Sequence, residues 1–224
     1  MPESGKVKTL IVDDHPLFSR GLSSLINSTP GFIVAGEAIN HGEALIIAQK
    51  HRPNLAIIDI NLGNESGIDL IPKLKAFDPD IVILILSMYD ERYYSERVLK
   101  LGAHGYIMKN EAAEKIQEVL NLVMSGKTYI SGDERERIIG AATSDKGPDT
   151  GDRVISLHKL SDRELQVFSL FGKGFGTIEI ASRLGISTKT IDTHKEHIKS
   201  KLRCNTSQEL RQFAIEWISQ AGPY

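Results

Sequence analysis

At 224 residues the chain exceeds one typical domain, and its 41% hydrophobic and 25% charged residues exclude a disordered or collagen-like polymer. Its longest unbroken apolar run, residues 81–86, is six long against the roughly 20 a spanning helix needs, and no basic segment with an apolar stretch opens the chain as a signal peptide would. A single cysteine, Cys204, excludes an internal disulfide and a cysteine-held zinc and fits a reducing cytoplasm, and the net charge of −2 divides unevenly: residues 159–224 carry 10 basic against 7 acidic groups, the rest 17 against 22.

Residues 7–12 (VKTLIV), 32–35 (FIVA), 55–58 (LAII), 81–86 (IVILIL) and 105–108 (GYIM) are short, nearly continuous, β-branched apolar runs. Such runs suit strands buried on both faces. Between and after them, helical periodicity covers 17–27, 42–50, 67–77, 91–101 and 112–124. Strict βα alternation, five times over, predicts a five-stranded parallel sheet with right-handed crossovers and helices on both faces, within a domain spanning 1–126. In such sheets ligands bind beyond the carboxyl ends of the strands, so the residues after each strand are where chemistry is expected.

One more helix is predicted over 132–142, and 143–152 (TSDKGPDTGD) reads as a linker, so 127–157 joins the first domain to a second at 158–224. From Leu160 no strand pattern recurs. Four helices are delimited by caps: Ser161 with Glu164 as a capping box, Thr177, Ser187, and Thr206 or Ser207. The second domain is predicted to be all-α.

Asp13 and Asp14 follow the first strand, Asp59 the third, Ser87 the fourth and Lys109 the fifth. A lone acid after a strand is most often a solvated loop residue. Three carboxylates on one edge repel one another unless a hard cation holds them, and Mg²⁺ favours such oxygen ligands. This set, Asp13-Asp14, Asp59, Ser87 and Lys109, resembles the receiver domain of bacterial two-component response regulators over about residues 7–125, a flavodoxin-like fold. The resemblance implies that Asp59 accepts a phosphoryl group from a phosphohistidine on a sensor histidine kinase. It implies further that Asp14, Asp59 and the Asn61 backbone carbonyl ligate Mg²⁺ with Asp13 acting through a water, and that Ser87 and Tyr106 form the switch pair. Asn61 and Tyr89 take positions that in the family tune phosphoryl lifetime. The chain departs from the family with Leu62-Gly63-Asn64 in place of Met-Pro, and with Asn110 where proline is common.

Residues 177–202 (TIEIASRLGISTKTIDTHKEHIKSKL) place Ile180, Ala181, Leu184, Ile186, Ile191, His194, Ile198 and Leu202 at the inward spacings of two helices joined at Gly185. With the preceding LSDRE, this resembles the four-helix DNA-binding domain of the LuxR/NarL/FixJ family over about 158–218. A recognition helix over 189–202 is implied, with Lys189, Lys195, Lys199 and Lys201 as phosphate contacts and Thr190, Asp192, Thr193 and Glu196 at the DNA face. Lys195 and Lys199 are expected on its exposed side, and His194 as a packed, hydrogen-bonded core residue. Leu210, Phe213, Ala214 and Trp217 form a stripe that either dimerises or closes the core.

The combined resemblance implies a cytoplasmic DNA-binding response regulator, not a turnover enzyme: phosphorylation of Asp59 controls homodimerisation and binding to double-stranded promoter DNA, with no membrane partner. A haloacid-dehalogenase phosphatase also carries an Asp after a parallel strand, but wants Asp-x-Asp where this chain has Asp59-Ile60-Asn61. The glycines of 172–176 follow a helix and do not make a nucleotide-binding fingerprint.

Overall fold

A computed structural model describes residues 5–63, 65–88, 91–136, 157 and 160–220. The chain divides into two units, residues 1–143 and 144–224. The first unit runs β1 (Val7–Val12), α1 (Pro16–Ser28), β2 (Phe32–Ala38), α2 (His41–His51), β3 (Leu55–Ile58), β4 (Asn61–Leu62), β5 (Glu65–Ser66), a 3-10 turn (Gly67–Asp69), α3 (Leu70–Phe77), β6 (Val82–Ser87), α4 (Glu91–Lys100), β7 (Gly105–Met108) and α5 (Lys109–Met124). Five strands form one parallel sheet in the order β2-β1-β3-β6-β7. The remaining two, β4 and β5, form a separate antiparallel hairpin.

The predicted strands are central because their residues have nowhere else to go. All four residues of β3 are buried, and β1 and β6 are buried over most of their length. Ile11, Leu55, Ile57, Leu84, Leu86 and Ile107 meet α1 and α5 through Leu22, Ile26, Ile116, Val119, Leu120 and Val123. Burying one such aliphatic side chain contributes about 1.5–3 kcal/mol. β2 runs three residues past its predicted end, because at the sheet edge Glu37 is tolerated: its carboxylate accepts from Ser19 and Ser23 of α1. α5 begins at Lys109, three residues before the predicted start.

Residues 127–136, expected to open the linker, lie against this unit instead. Tyr129 bridges to Gly105 at the free edge of β7, donating to the His104 carbonyl at 3.0 Å and accepting from the Tyr106 N–H at 2.9 Å. A helical turn at 132–136 buries Glu134, which accepts from the buried Ser95 of α4, and Glu91 accepts from the Ser131 N–H at 3.0 Å. An open strand edge and two polar groups are satisfied together. The rest of the predicted helix and the 143–152 linker lie outside the described residues, as do Asn64 and Tyr89.

The second unit is helical: α6 (Asp162–Gly172), α7 (Thr177–Leu184), α8 (Thr188–Leu202) and α9 (Ser207–Gln220). Ser161 and Glu164 form the predicted capping box, Ser187 caps α8, and Thr206 accepts from the Glu209 N–H at 3.0 Å. Thr177 does not cap α7. Gly176 holds that position, with the Glu179 carboxylate accepting from its N–H at 2.8 Å, and this leaves the Thr177 hydroxyl for Lys195. The α9 stripe closes the core: Leu210, Phe213 and Ala214 are buried, and Phe168 of α6 meets Phe213 and Trp217 with ring centroids 5.5 and 5.2 Å apart. Gly172 permits this approach, since a Cβ there would fall 2.5 Å from the Ala214 carbonyl. Among the described residues no helix is long and apolar enough to cross a membrane.

Candidate functional site

The parallel ladder extends one residue beyond β1 and β3: the Asp13 N–H donates to the Ala38 carbonyl and the Asp59 N–H to the Val12 carbonyl, both at 2.9 Å. The two acids therefore stand side by side on adjacent strands, and both are buried, 3% and 4% exposed. Lys109, as the first residue of α5, points its ammonium between them, 2.6 Å from Asp13 Oδ2 and 2.7 Å from Asp59 Oδ2. The Phe18 ring lies 4.4 Å from the same nitrogen. One cation thus serves two carboxylates inside a nearly dry crevice.

Such a crevice penalises charge. Burial pushes the Asp59 carboxyl up to about 6, against the opposing pull of Lys109, and the Asp13 carboxylate adds to the rise. Asp14, a quarter exposed, has a buried Oδ1 that accepts no hydrogen bond even though His15 Nδ1 stands 2.7 Å away. Ligand atoms of Asp13, Asp14, His15 and Asp59 all lie within 4.8 Å of one another. Carboxylate oxygens gathered this closely suit a hard divalent cation, so the cluster could hold a metal.

Ser87 and Tyr106 are both fully buried. Ile85 is the register partner of Tyr106 across β6 and β7, so Ser87 and Tyr106 share one face of the sheet two residues apart. The ring is already inside. Asn61 enters the crevice through its backbone, its N–H donating to Asp59 Oδ1 at 3.3 Å. Gly67 is the close-approach point of the loop: a Cβ there would lie 1.8 Å from the Asp59 carbonyl oxygen. The five predicted groups, with Asn61 and Tyr106, are therefore brought to one end of the sheet. Asp13 meets Lys109 directly. His15 and Phe18 were not singled out from sequence, although His15 directly follows the acidic pair.

The second unit holds a helix-turn-helix. Gly185 adopts the left-handed conformation after α7 (φ 64°), and Arg163 of α6 donates to the Leu184 carbonyl, bracing the turn. On α8, Lys189, Asp192, Thr193 and Glu196 are exposed, whereas Thr190 is half-buried with its hydroxyl on Ser187. The lysines differ from the sequence reading. Lys195 is half-buried, its ammonium donating to Thr177 and lying 4.6 Å from the Phe171 ring, and burial pulls its pKa down. Lys199 is also half-buried and donates to both Glu196 oxygens at 3.0 Å, and Lys201 donates to the buried Glu164 at 2.6 Å. Long cationic side chains cover apolar surface and find partners that formal charge does not show. Among the described residues Lys189 alone of the four has no side-chain partner. His194 is half-buried, but its Nδ1 accepts no hydrogen bond, contrary to the hydrogen-bonded core residue expected.

Comparison with known proteins agrees in both units. Residues 9–121 match the response regulator receiver domain and residues 158–214 match the bacterial regulatory proteins of the luxR family. The oxygen regulatory protein NreC of Staphylococcus carnosus is 34% identical over 211 residues, covering 94% of this chain and 97% of the relative; the Staphylococcus aureus protein of that name is 32% identical over the same length. Among solved structures, RcsB from Salmonella enterica serovar Typhimurium bound to promoter rprA with the phosphomimetic BeF3- is similar at 26% identity and TM-score 0.59, covering 93% of this chain and 98% of that one. A LuxR-family two-component response regulator from Aurantimonas sp. SI85-9A1 covers 62% of this chain and 99% of its own at 26% identity and TM-score 0.57. A flavodoxin-like receiver with its acidic pocket, followed by a luxR-type helical domain, makes this chain a member of the NarL/LuxR family of DNA-binding two-component response regulators, which control transcription.

Proposed function

We propose that Asp59 is the phosphoacceptor. The observation that carries this is the buried Asp59 carboxylate, held at 2.7 Å by Lys109 at the carboxyl end of β3, with Asp13 and Asp14 beside it. An Asp59 oxygen attacks phosphorus as the N–P bond of the kinase phosphohistidine breaks, and the electron pair returns to the leaving imidazole. Lys109 stays beside the new acyl phosphate and pairs with a phosphoryl oxygen. Ser87 donates its hydroxyl to another, and the Tyr106 ring fills the space behind it. Asp13, Asp14, Asp59 and the Asn61 carbonyl would hold Mg²⁺, which when bound neutralises charge on the transferring group.

The partners are a sensor histidine kinase, double-stranded promoter DNA and a second copy of the chain, and the site of action is the cytoplasm. As functional limits we assign 1–126 to the receiver, 127–157 to the linker with its first ten residues docked, and 158–224 to DNA binding. On α8, Asp192, Thr193 and Glu196 face base edges; Lys189 is placed for a phosphate contact, and Lys195, Lys199 and Lys201 reach phosphates only by leaving their present partners. Incubation of the full chain with acetyl phosphate and Mg²⁺ should add one phosphoryl group by intact mass and strengthen promoter binding. Asp59→Asn should abolish both; full labelling of that variant would refute the assignment.

A further inference from the structure

The loop that follows the phosphoacceptor strand is tied down from outside the crevice by a buried imidazole. β4 and β5 pair Asn61 with Ser66 and Leu62 with Glu65. His41, the first residue of α2 and 6% exposed, places Nε2 2.9 Å from the Ser66 carbonyl and Nδ1 2.9 Å from Lys73 Nζ of α3. An ammonium can only donate, so Nδ1 must accept; the single proton of the neutral ring then sits on Nε2 and is donated to Ser66. Glu65 Oε2 also accepts from the His41 N–H at 2.8 Å. Both residues of β5 are thereby fixed to α2, and the ring tautomer is fixed by α3.

What hangs on that hairpin is the phosphoacceptor itself. Ser66 is the partner of Asn61, whose N–H bonds Asp59 Oδ1 and whose carbonyl belongs to the proposed metal set. The next residue, Gly67, donates to the Ile60 carbonyl at 2.8 Å, and has no room for a Cβ against the Asp59 carbonyl. Any shift of Ser66 moves both neighbours of the acceptor.

We propose that His41, oriented by Lys73, is a positioning residue for phosphoryl transfer: it sets the Asn61–Ser66 hairpin, and through it the Asn61 carbonyl and the Asp59 backbone. The proposal rests on reading Asp13, Asp14 and Asp59 as the Mg²⁺ and phosphoryl site. Groups that orient ligands from behind are worth about 10- to 100-fold in metal affinity. His41→Leu, which loses both ring nitrogens, should therefore weaken Mg²⁺ binding by about tenfold. His41→Gln keeps an amide N–H for Ser66 and should stay within about twofold of wild type, and Lys73→Met, on an exposed side chain, should weaken binding by about threefold.

The test is calorimetric titration of the full, unphosphorylated chain with Mg²⁺, with amide hydrogen exchange of residues 61–67 measured in parallel and Asp14→Ala as the ligand control. Weaker Mg²⁺ binding and faster exchange in His41→Leu and Lys73→Met, with recovery in His41→Gln, support the proposal, since a merely structural role would lower the thermal midpoint without moving the affinity of the folded protein. If both variants fold and bind Mg²⁺ like wild type, the proposal is overturned. Should His41→Leu fail to fold, Lys73→Met decides: unchanged affinity and exchange overturn it. Wild type binding no Mg²⁺, with Asp14→Ala indistinguishable from it, overturns the reading of the site and the proposal with it.

Discussion

Asp59→Asn should stabilise the metal-free protein. Burial raises the Asp59 carboxyl from its ordinary 3.8 to about 6 despite Lys109, so in the folded state the ionised form is disfavoured relative to the unfolded chain. At 1.36 kcal/mol per pH decade this amounts to about 3 kcal/mol of lost stability above pH 6. The sign follows from proton counts: between the unfolded and folded values the native state holds more protons, so stability falls as pH rises through that window. An amide carries no charge and escapes the penalty. In EDTA at pH 8 the variant should gain about 3 kcal/mol, roughly 10 °C in thermal midpoint for a unit of this size, and about half of that at pH 5, where much of the wild-type penalty has been relieved. Mg²⁺ should nearly close the gap at pH 8, stabilising wild type by about 2.7 kcal/mol at a hundredfold excess over its Kd while leaving the variant nearly unmoved. Circular dichroism melts at the two pH values, with and without Mg²⁺, provide the assay. An Asp59→Asn protein no more stable than wild type in EDTA at pH 8 would refute the reasoning, as would a gain that does not shrink at pH 5.

Glu134→Ala should lower the stability of the first unit by about 1–3 kcal/mol, because the buried Ser95 hydroxyl loses its acceptor; an unchanged urea midpoint would show that 132–136 is not docked. His104 accepts from the Ile83 N–H at 3.1 Å, and burial, aided by the Lys75 charge, lowers its pKa, so its contribution is complete above about 6.5 and fades as pH falls toward the folded value; an NMR titration midpoint at or above 6.5 contradicts this. Burial would raise Glu164, but Lys201 and Ser161 outweigh it and its pKa is lowered, so the stability it supplies is present above its ordinary 4.5 and lost as pH falls through the folded value. Glu164→Gln should lower the unfolding midpoint of the second unit, read from Trp217 fluorescence at pH 7, and the variant should lose the acid-side slope. In DNA titrations Lys189→Ala should reduce the log-log salt slope by about 0.9 while Lys201→Met leaves it unchanged; an equal drop for both means that Lys201 abandons Glu164 on DNA.

Much of the first unit was legible because its signals are local. An apolar run bounded by a polar residue defines both a buried strand and the group at its carboxyl end, so LAII followed by Asp59 and GYIM followed by Lys109 announce strand and site together. The β4–β5 hairpin was invisible for the opposite reason. Two-residue strands carry no periodicity, and what fixes them is distant in sequence: His41, 25 residues before Ser66, and Lys73 on α3. The early start of α5 was hidden because Lys109 counts as polar in any pattern, yet its stem is buried and its head is neutralised by two acids.

The same blindness to partners explains the lysines of α8. Four cations in one helix look like one electrostatic footprint, but three are committed: Lys195 to Thr177 and the Phe171 ring, Lys199 to Glu196, and Lys201 to a carboxylate that also caps α6. The pairs are informative about the site even so. By holding Glu164, Lys201 ties the end of α8 to the start of the domain, and by holding Glu196, Lys199 offsets an acid on the face proposed to meet the bases. Released counterions scale with the phosphates neutralised, so one copy with Lys189 alone available on this helix gains a salt-dependent term of about one contact, and two copies about twice that. Affinity for promoter DNA must then come from pairing of copies and from groups outside this helix, so under the proposed phosphorylation of Asp59 dimerisation becomes the lever that sets occupancy.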